Sequence, residues 1–433
     1  MKIFLMRLVT TFLTSRTRRN LRRAIHAFRR KLKGAKPTVY YFHQTDDPYS
    51  HLAAQLLTKL KSRYRVELAP YLVSAPDDAA APEREKLRHY ALRDAARVAR
   101  RYSLAHVTDA RLPDPSRVEQ AAAALAATIK NETFTEVAPQ ISTALWAGDA
   151  AAIAAFKANK KGLSKVIAAG NKRRKAFGHY LSAMFYFEGE WYWGVDRLHH
   201  LEARLNETGL DTAPKGMPMI APFQDISLAT KPTSKSKPVI DYWFSFRSPY
   251  SCISARRMWR LAHHYDCELR LRFILPMVMR GLPVPLVKRM YITLDTKREA
   301  ECVNESYGTI VDPVGAGAAR ALAVLHYAIP LEHGEAFAEL GMRAAFADGI
   351  ELASDKGMFD VARRAGLTDE QTRGALADES WREVAEENRE ALFDAGLWGA
   401  PSFRVDGRPA HWGQDRFWAL EEDILDAIAE RNT

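Results

Sequence analysis

Chemistry in this chain has to come from few residues. Three cysteines, Cys252, Cys267 and Cys302, form neither a Cys-x-x-Cys pair nor a metal-ligand cluster, so their spacing indicates neither a disulfide framework nor a metal site. A hydroxyl is better placed. Ser248-Pro249-Tyr250-Ser251 follows the β-branched and aromatic run Pro238–Phe246. Serine is a preferred helix cap and proline suits the first helical position, where its missing N–H is no loss, so the Ser248 hydroxyl is expected at the mouth of a helix. Further on, Trp398-Gly399-Ala400-Pro401 and Trp412-Gly413-Gln414-Asp415-Arg416 flank two short strand-like segments. Asp415 stands where it could cap a last helix. Tyr291 and Asp295 share a face of a predicted helix, one turn apart, with Arg289 close by. Each of these also has a purely structural reading: Ser248 and Asp415 as caps, Tyr291 and Asp295 as ordinary helix neighbours.

The elements that must position them can be read coarsely. Pro238–Phe246 reads as a buried strand, residues 250–264 as a helix and Glu268–Ile274 as a second strand, a β-α-β start that implies a parallel pair. Helical patterning dominates from about Gly281 to Ala395, in Arg289–Tyr307, Ala316–Ala328, Glu335–Ala347 and Thr368–Phe393. Asp406-Gly407 then bridges Ser402–Val405 and Ala410–Trp412 as a hairpin, and Asp415–Arg431 closes as a helix.

The same order of landmarks occurs earlier. Asp47-Pro48-Tyr49-Ser50 matches Ser248-Pro249-Tyr250-Ser251 at an offset of 201 residues, and at that offset Arg88, Tyr90, Asp94 and Arg97 fall on Arg289, Tyr291, Asp295 and Arg298. Asp114-Pro115 matches Asp312-Pro313, and Trp193-Gly194-Val195-Asp196-Arg197 matches Trp412–Arg416. Four landmarks kept in order predict two diverged copies of one α/β domain. The divisions expected are an N-terminal arm over 1–36, a first domain over 37–208, a Pro- and Ser-rich linker over 209–237 and a second domain over 238–433. A length of 433 residues suits two domains.

The formal charge of +11 is concentrated. Residues 1–36 hold twelve Lys or Arg and no acid, while the remainder carries 51 basic and 52 acidic residues. The body is therefore near neutral and does not read as a nucleic-acid surface. Leu21, Ile25, Phe28 and Leu32 recur at helical spacing between the arm's cations. An anionic membrane surface, a targeting presequence and a solvated tail all fit that pattern. No apolar run approaches the roughly 20 residues of a membrane span. The thiol count fits a reducing compartment, so a cytoplasmic protein is expected, peripheral on a membrane if the arm binds one.

Taken together, the strand followed by Ser248-Pro249-Tyr250-Ser251, the helical insert, Trp398–Pro401 and Gly413–Arg416 resemble 2-hydroxychromene-2-carboxylate isomerases and kappa-class glutathione transferases, of the DsbA-like branch of the thioredoxin superfamily. The resemblance covers residues 238–431 well and 37–208 more weakly. It implies an α/β chain of two tandem thioredoxin-like domains, each with a large all-helical insertion. It also implies glutathione as cosubstrate, its sulfur held by Ser248 as the catalytic residue. A helix N-terminus and a donated hydroxyl hydrogen bond would both lower the thiol pKa. Pro401 matches the family's cis-proline, with Ala400 beside it as the backbone edge for the tripeptide, and Asp415 with Gln414 matches the γ-glutamyl site. Tyr250, then Lys288 or Arg289, Tyr291 and Asp295 from the helical insert, sit where relatives line the site, though Gln414 departs from the usual serine.

With serines at both motif positions, direct dithiol exchange is not expected. The leading expectation is a glutathione-dependent isomerase or transferase for a small hydrophobic, often aromatic, electrophile. A non-catalytic scaffold and an oxidoreductase using Cys252 are the rivals. In the first copy Asp47 replaces Ser248 and Ala183 stands opposite Pro401, which reads as a degenerate domain standing in for a second subunit, an intramolecular pseudo-dimer unless the chain forms a homodimer.

Overall fold

The computed structural model describes residues 2–107, 111–228 and 232–433. They fall into two compact units, Asn20–Gln224 and Met1–Arg19 with Asp225–Thr433. The arm is helical: α1 spans Lys2–Thr14 and α2 spans Arg16–Leu32. Between them Ser15 interrupts the helix and its Oγ accepts from the Arg18 amide at 3.1 Å, a cap that starts the second helix.

In the unit Asn20–Gln224, β1 (Thr38–His43), α3 (Pro48–Ala54) and β2 (Glu67–Leu72) form a parallel β-α-β start. Helices between Arg84 and Ala176 follow, then the antiparallel β3 (Met184–Phe187) and β4 (Glu190–Trp193) and a helix over Leu198–Glu207. The strands run β2-β1-β3-β4. The second unit has β5 (Val239–Phe244), α4 (Pro249–His264), β6 (Glu268–Phe273), a helical stretch opening with α5 (Leu286–Cys302), then β7 (Ser402–Val405), β8 (His411–Trp412) and α6 (Phe417–Asn432). Its order is β6-β5-β7-β8, and β5 pairs parallel with β6 and antiparallel with β7, the same sense as β1 with β2 and β3.

The central strand β5 is buried along nearly its whole length, as expected of a strand covered by helices on both faces. Its one charge, Asp241, is 6% exposed and receives Arg272 Nε at 2.9 Å and Arg404 Nε at 3.0 Å from β6 and β7, the pairing a buried carboxylate requires.

Several boundaries differ from the sequence reading. The stretch Thr368–Phe393 is two helices, Asp369–Ala377 and Trp381–Asp394. It breaks where the Asp378 carboxylate accepts from the Ser380 amide at 2.8 Å. A helix over Asp355–Arg364, capped by Ser354, was not anticipated. In the Pro-rich segment 209–237, two pairs of backbone amides are held by glutamates. Glu202 accepts from the amides of Ile220 (2.8 Å) and Ala221 (3.0 Å) in one unit, and Glu421 from those of Ser227 (2.6 Å) and Leu228 (2.7 Å) in the other. Each glutamate is itself held by a tyrosine, Tyr64 at 2.8 Å and Tyr265 at 2.9 Å.

Candidate functional site

At the end of β5 the chain turns through Ser245–Arg247 into α4. Arg247 makes a two-pronged ion pair with Asp312 (2.8 Å each), tying this turn to the helical stretch. Ser248 is the N-cap of the sixteen-residue α4, with Pro249 next, and its Oγ accepts from the Ser251 amide at 3.1 Å. The same hydroxyl donates to the Ala400 carbonyl at 2.9 Å, and the Ala400–Pro401 peptide bond is cis. Ser248 is half-buried, while Ser251 is fully buried and its Oγ makes no hydrogen bond among the described residues. Pro401 opens into β7, and its carbonyl accepts from the Gly413 amide at 3.0 Å, fixing that end of the sheet.

This arrangement suits an anion with one atom near the Ser248 hydroxyl. The positive end of a four-turn helix and a rotatable O–H both favour negative charge there, whereas the Arg247 guanidinium is already matched by Asp312. A thiolate carries the charge that the position favours, and the residues present fit a glutathione sulfur on that ground. The Ala400 carbonyl retains a second lone pair for a backbone donor.

The remaining predicted residues divide. Tyr250 donates to Asp295 Oδ2 at 2.7 Å, and Arg298 donates to Asp295 Oδ1 at 2.9 Å, with Asp295 only 1% exposed. Asp295 is therefore an internal link between α4 and α5, not a surface neighbour of Tyr291. Gln414 is likewise turned inward: Arg257 donates to its Oε1 at 3.0 Å and its own Nε2 donates to Glu299 at 2.5 Å. Its side-chain amide is hydrogen-bonded within the fold at both ends. Asp415 lies in a single 3-10 turn, Gln414–Arg416, before α6, whose N-cap residue is Arg416. Its carboxylate is 14% exposed and lies 3.6 Å from Arg416. Tyr291 is half-buried and Arg289 exposed on α5. The Arg247–Asp312 pair was missed, although Asp312 had been visible as one of the repeated landmarks.

The corresponding corner of the other unit is built alike with one reversal. Asp47 caps α3, accepting from Tyr49 N (3.2 Å), Ser50 N (3.1 Å), Ser50 Oγ (2.7 Å) and Ser182 Oγ (3.0 Å). Gly194 donates to the Ala183 carbonyl at 2.7 Å, as Gly413 does to Pro401. Burial pushes the Asp47 carboxyl up to about 6, against the pull of the two serine hydroxyls. Tyr49 donates to Asp94 at 2.7 Å, as Tyr250 does to Asp295.

Thiolate chemistry is disfavoured at two of the cysteines, Cys252 and Cys267. All three are free. Burial pushes the Cys252 thiol well up, and the Cys267 thiol up to about 12, so neither supplies a thiolate near neutral pH.

Residues 239–425 match the family profile of the DSBA-like thioredoxin domain. The C-terminal half carries a DsbA-like thioredoxin domain. A 2-hydroxychromene-2-carboxylate isomerase of Pseudomonas sp. (strain C18) is 22% identical over 194 residues, 43% of this chain and 90% of that protein. Among solved structures, a 2-hydroxychromene-2-carboxylate isomerase aligns at 21% identity and a TM-score of 0.39, over 45% of this chain and 97% of that one. The cytosolic disulfide reductase DsbM of Pseudomonas aeruginosa, solved with GSH, aligns at 15% identity and a TM-score of 0.35, over 45% of this chain and 98% of that one.

Proposed function

We propose that the DsbA-like domain is a glutathione-dependent isomerase or transferase for a small hydrophobic, aromatic electrophile, and that the unit Asn20–Gln224 is a diverged copy lacking that site. The observation that carries the reading is the position of the Ser248 hydroxyl. It stands half-exposed at the head of α4, hydrogen-bonded to the carbonyl that precedes Pro401. The name of the 22% identical relative supports the reaction class. The absence of any cysteine at positions 248 and 251 favours holding an external thiol over exchanging an internal one.

Bound glutathione would supply a thiolate that adds reversibly to a conjugated carbonyl, allows bond rotation and departs, with no net redox change. The chain's own part is to hold that sulfur ionised. Ser248 turns its O–H from the Ala400 carbonyl to the sulfur, while its lone pair keeps the Ser251 amide and α4 contributes its positive end. Ala400 and Pro401 present backbone to the peptide, and Asp415 with the turn before α6 receives its charged amino end. Cytoplasmic residence fits the need for a reducing glutathione pool.

Ultraviolet titration of the thiolate tests this. With the protein in excess, the glutathione thiol pKa is expected to fall at least one unit below the ordinary value of about 8.5. Ser248→Ala should return it most of the way, and Ser248→Thr should keep most of the shift. No binding at millimolar glutathione would leave a non-catalytic scaffold as the better reading.

A further inference from the structure

Both N-terminal helices present their polar sides to the protein and their apolar sides to solvent, the reverse of a helix docked on a hydrophobic core. On α1, Phe4, Leu5, Leu8, Val9 and Phe12 share one face and are 53% to 64% exposed. The opposite face is hydrogen-bonded to the unit it belongs to. Thr10 Oγ1 accepts from the Ile310 amide at 2.9 Å, Thr14 Oγ1 donates to the Gly308 carbonyl at 3.1 Å, and Arg7 Nε donates to the Gly349 carbonyl at 2.5 Å. On α2, the stripe Leu21, Ile25, Phe28 and Leu32 is 57%, 39%, 66% and 76% exposed. Its other side is fixed by Arg23 to Glu190 (2.9 Å) and Arg30 to Glu188 (2.6 Å), within the unit Asn20–Gln224.

We infer that each of these two helices, within its own unit, is a docking surface for a bilayer bearing anionic headgroups. Nine large apolar side chains held outward in two continuous stripes are more than the scattered exposure ordinary for a monomer. Burial in the acyl boundary removes them from water. Exposed Arg29, Lys31 and Lys33 border the α2 stripe, and residues 1–36 contain no acid, so the surface complements phosphate-rich headgroups. The same charge argues against the other occupants: a second copy would set basic helix against basic helix, and a nucleic acid would leave the apolar stripes wet. No described helix is long and apolar enough to cross a membrane, so the contact lies on the surface.

The full chain should sediment with phosphatidylcholine vesicles containing phosphatidylserine and far less with phosphatidylcholine alone. Added salt should weaken the binding, because headgroup attraction is screened. Phe28→Glu with Leu32→Glu, and separately Phe4→Glu with Phe12→Glu, should each reduce vesicle affinity by about tenfold or more, with circular dichroism unchanged because the replaced side chains are exposed. Serine replacements at the same positions should lower affinity in the same direction. Absence of binding to the phosphatidylserine vesicles would overturn the inference. So would undiminished binding by the glutamate variants, or a dimer in analytical ultracentrifugation that those variants dissociate.

Discussion

A single hydroxyl and a single carboxylate mark the difference between the two helix-start corners. Ser248 can donate one proton, and at present it goes to Ala400; Asp47 can donate none while ionised and instead gathers four hydrogen bonds. That burial has a consequence for stability. The Asp47 carboxyl is pushed up to about 6, so the folded chain keeps its proton at pH values where the unfolded chain has released it. Its contribution to stability is complete below about pH 4 and is lost as the pH rises through 6. Urea unfolding of wild type and Asp47→Asn should therefore diverge by up to about 3 kcal/mol between pH 4 and 7, with wild type losing ground. A difference that stays flat across this range would contradict the assignment. The helix start at Ser248 was legible in the sequence, because Ser-Pro after a strand is a local signal, while its nearness to Pro401 was implied only by the family resemblance. The inward turn of Gln414 was not legible, since what decides it is Arg257, buried on another helix and far away in sequence.

Between elements, a recurring device joins the first helix of each α/β start to the helices that follow. Tyr250 and Arg298 converge on Asp295, and Tyr49 and Tyr90 converge on Asp94, the latter at 3.1 Å. The repeat at an offset of 201 residues had flagged these positions, and two readings were open, site or scaffold. In the structure they are joined by internal hydrogen bonds. Removing one partner from such a link leaves a buried charge uncompensated. Asp295→Ala should cost about 3–5 kcal/mol, visible as a fall of about ten degrees in the melting of its domain, whereas Tyr250→Phe should cost roughly 1–2 kcal/mol. Equal, negligible effects would place the aspartate outside the fold's supports. The Glu202 and Glu421 straps were invisible beforehand for a different reason. Proline and serine content marks a segment as irregular, but it does not say whether distant glutamates will hold its amides.

Across the whole molecule, each unit has a hydrophobic cluster of its own, one around Tyr242, Phe244 and Phe403 and one around Tyr41, Phe185 and Tyr192. Separate cores predict separate cooperative units. Calorimetry of the full chain should resolve two transitions, with Asp295→Ala lowering one and leaving the other within about a degree. A single transition that moves as a whole would refute independent cores. The presence of two α/β starts could be read from the order of landmarks. The boundaries could not, because composition does not register that α1 hydrogen-bonds the unit of residues 225–433 through threonines rather than through its apolar face. The Asp47 corner, finally, bears on how many ligands a chain accepts. Where the other corner presents a serine hydroxyl at its helix start, this one is furnished with a resident anion: the carboxylate is tethered, charged above about pH 6 and already surrounded by donors. A calorimetric titration with glutathione should accordingly saturate at one equivalent per polypeptide, and a stoichiometry of two would mean that the tethered acid yields its seat.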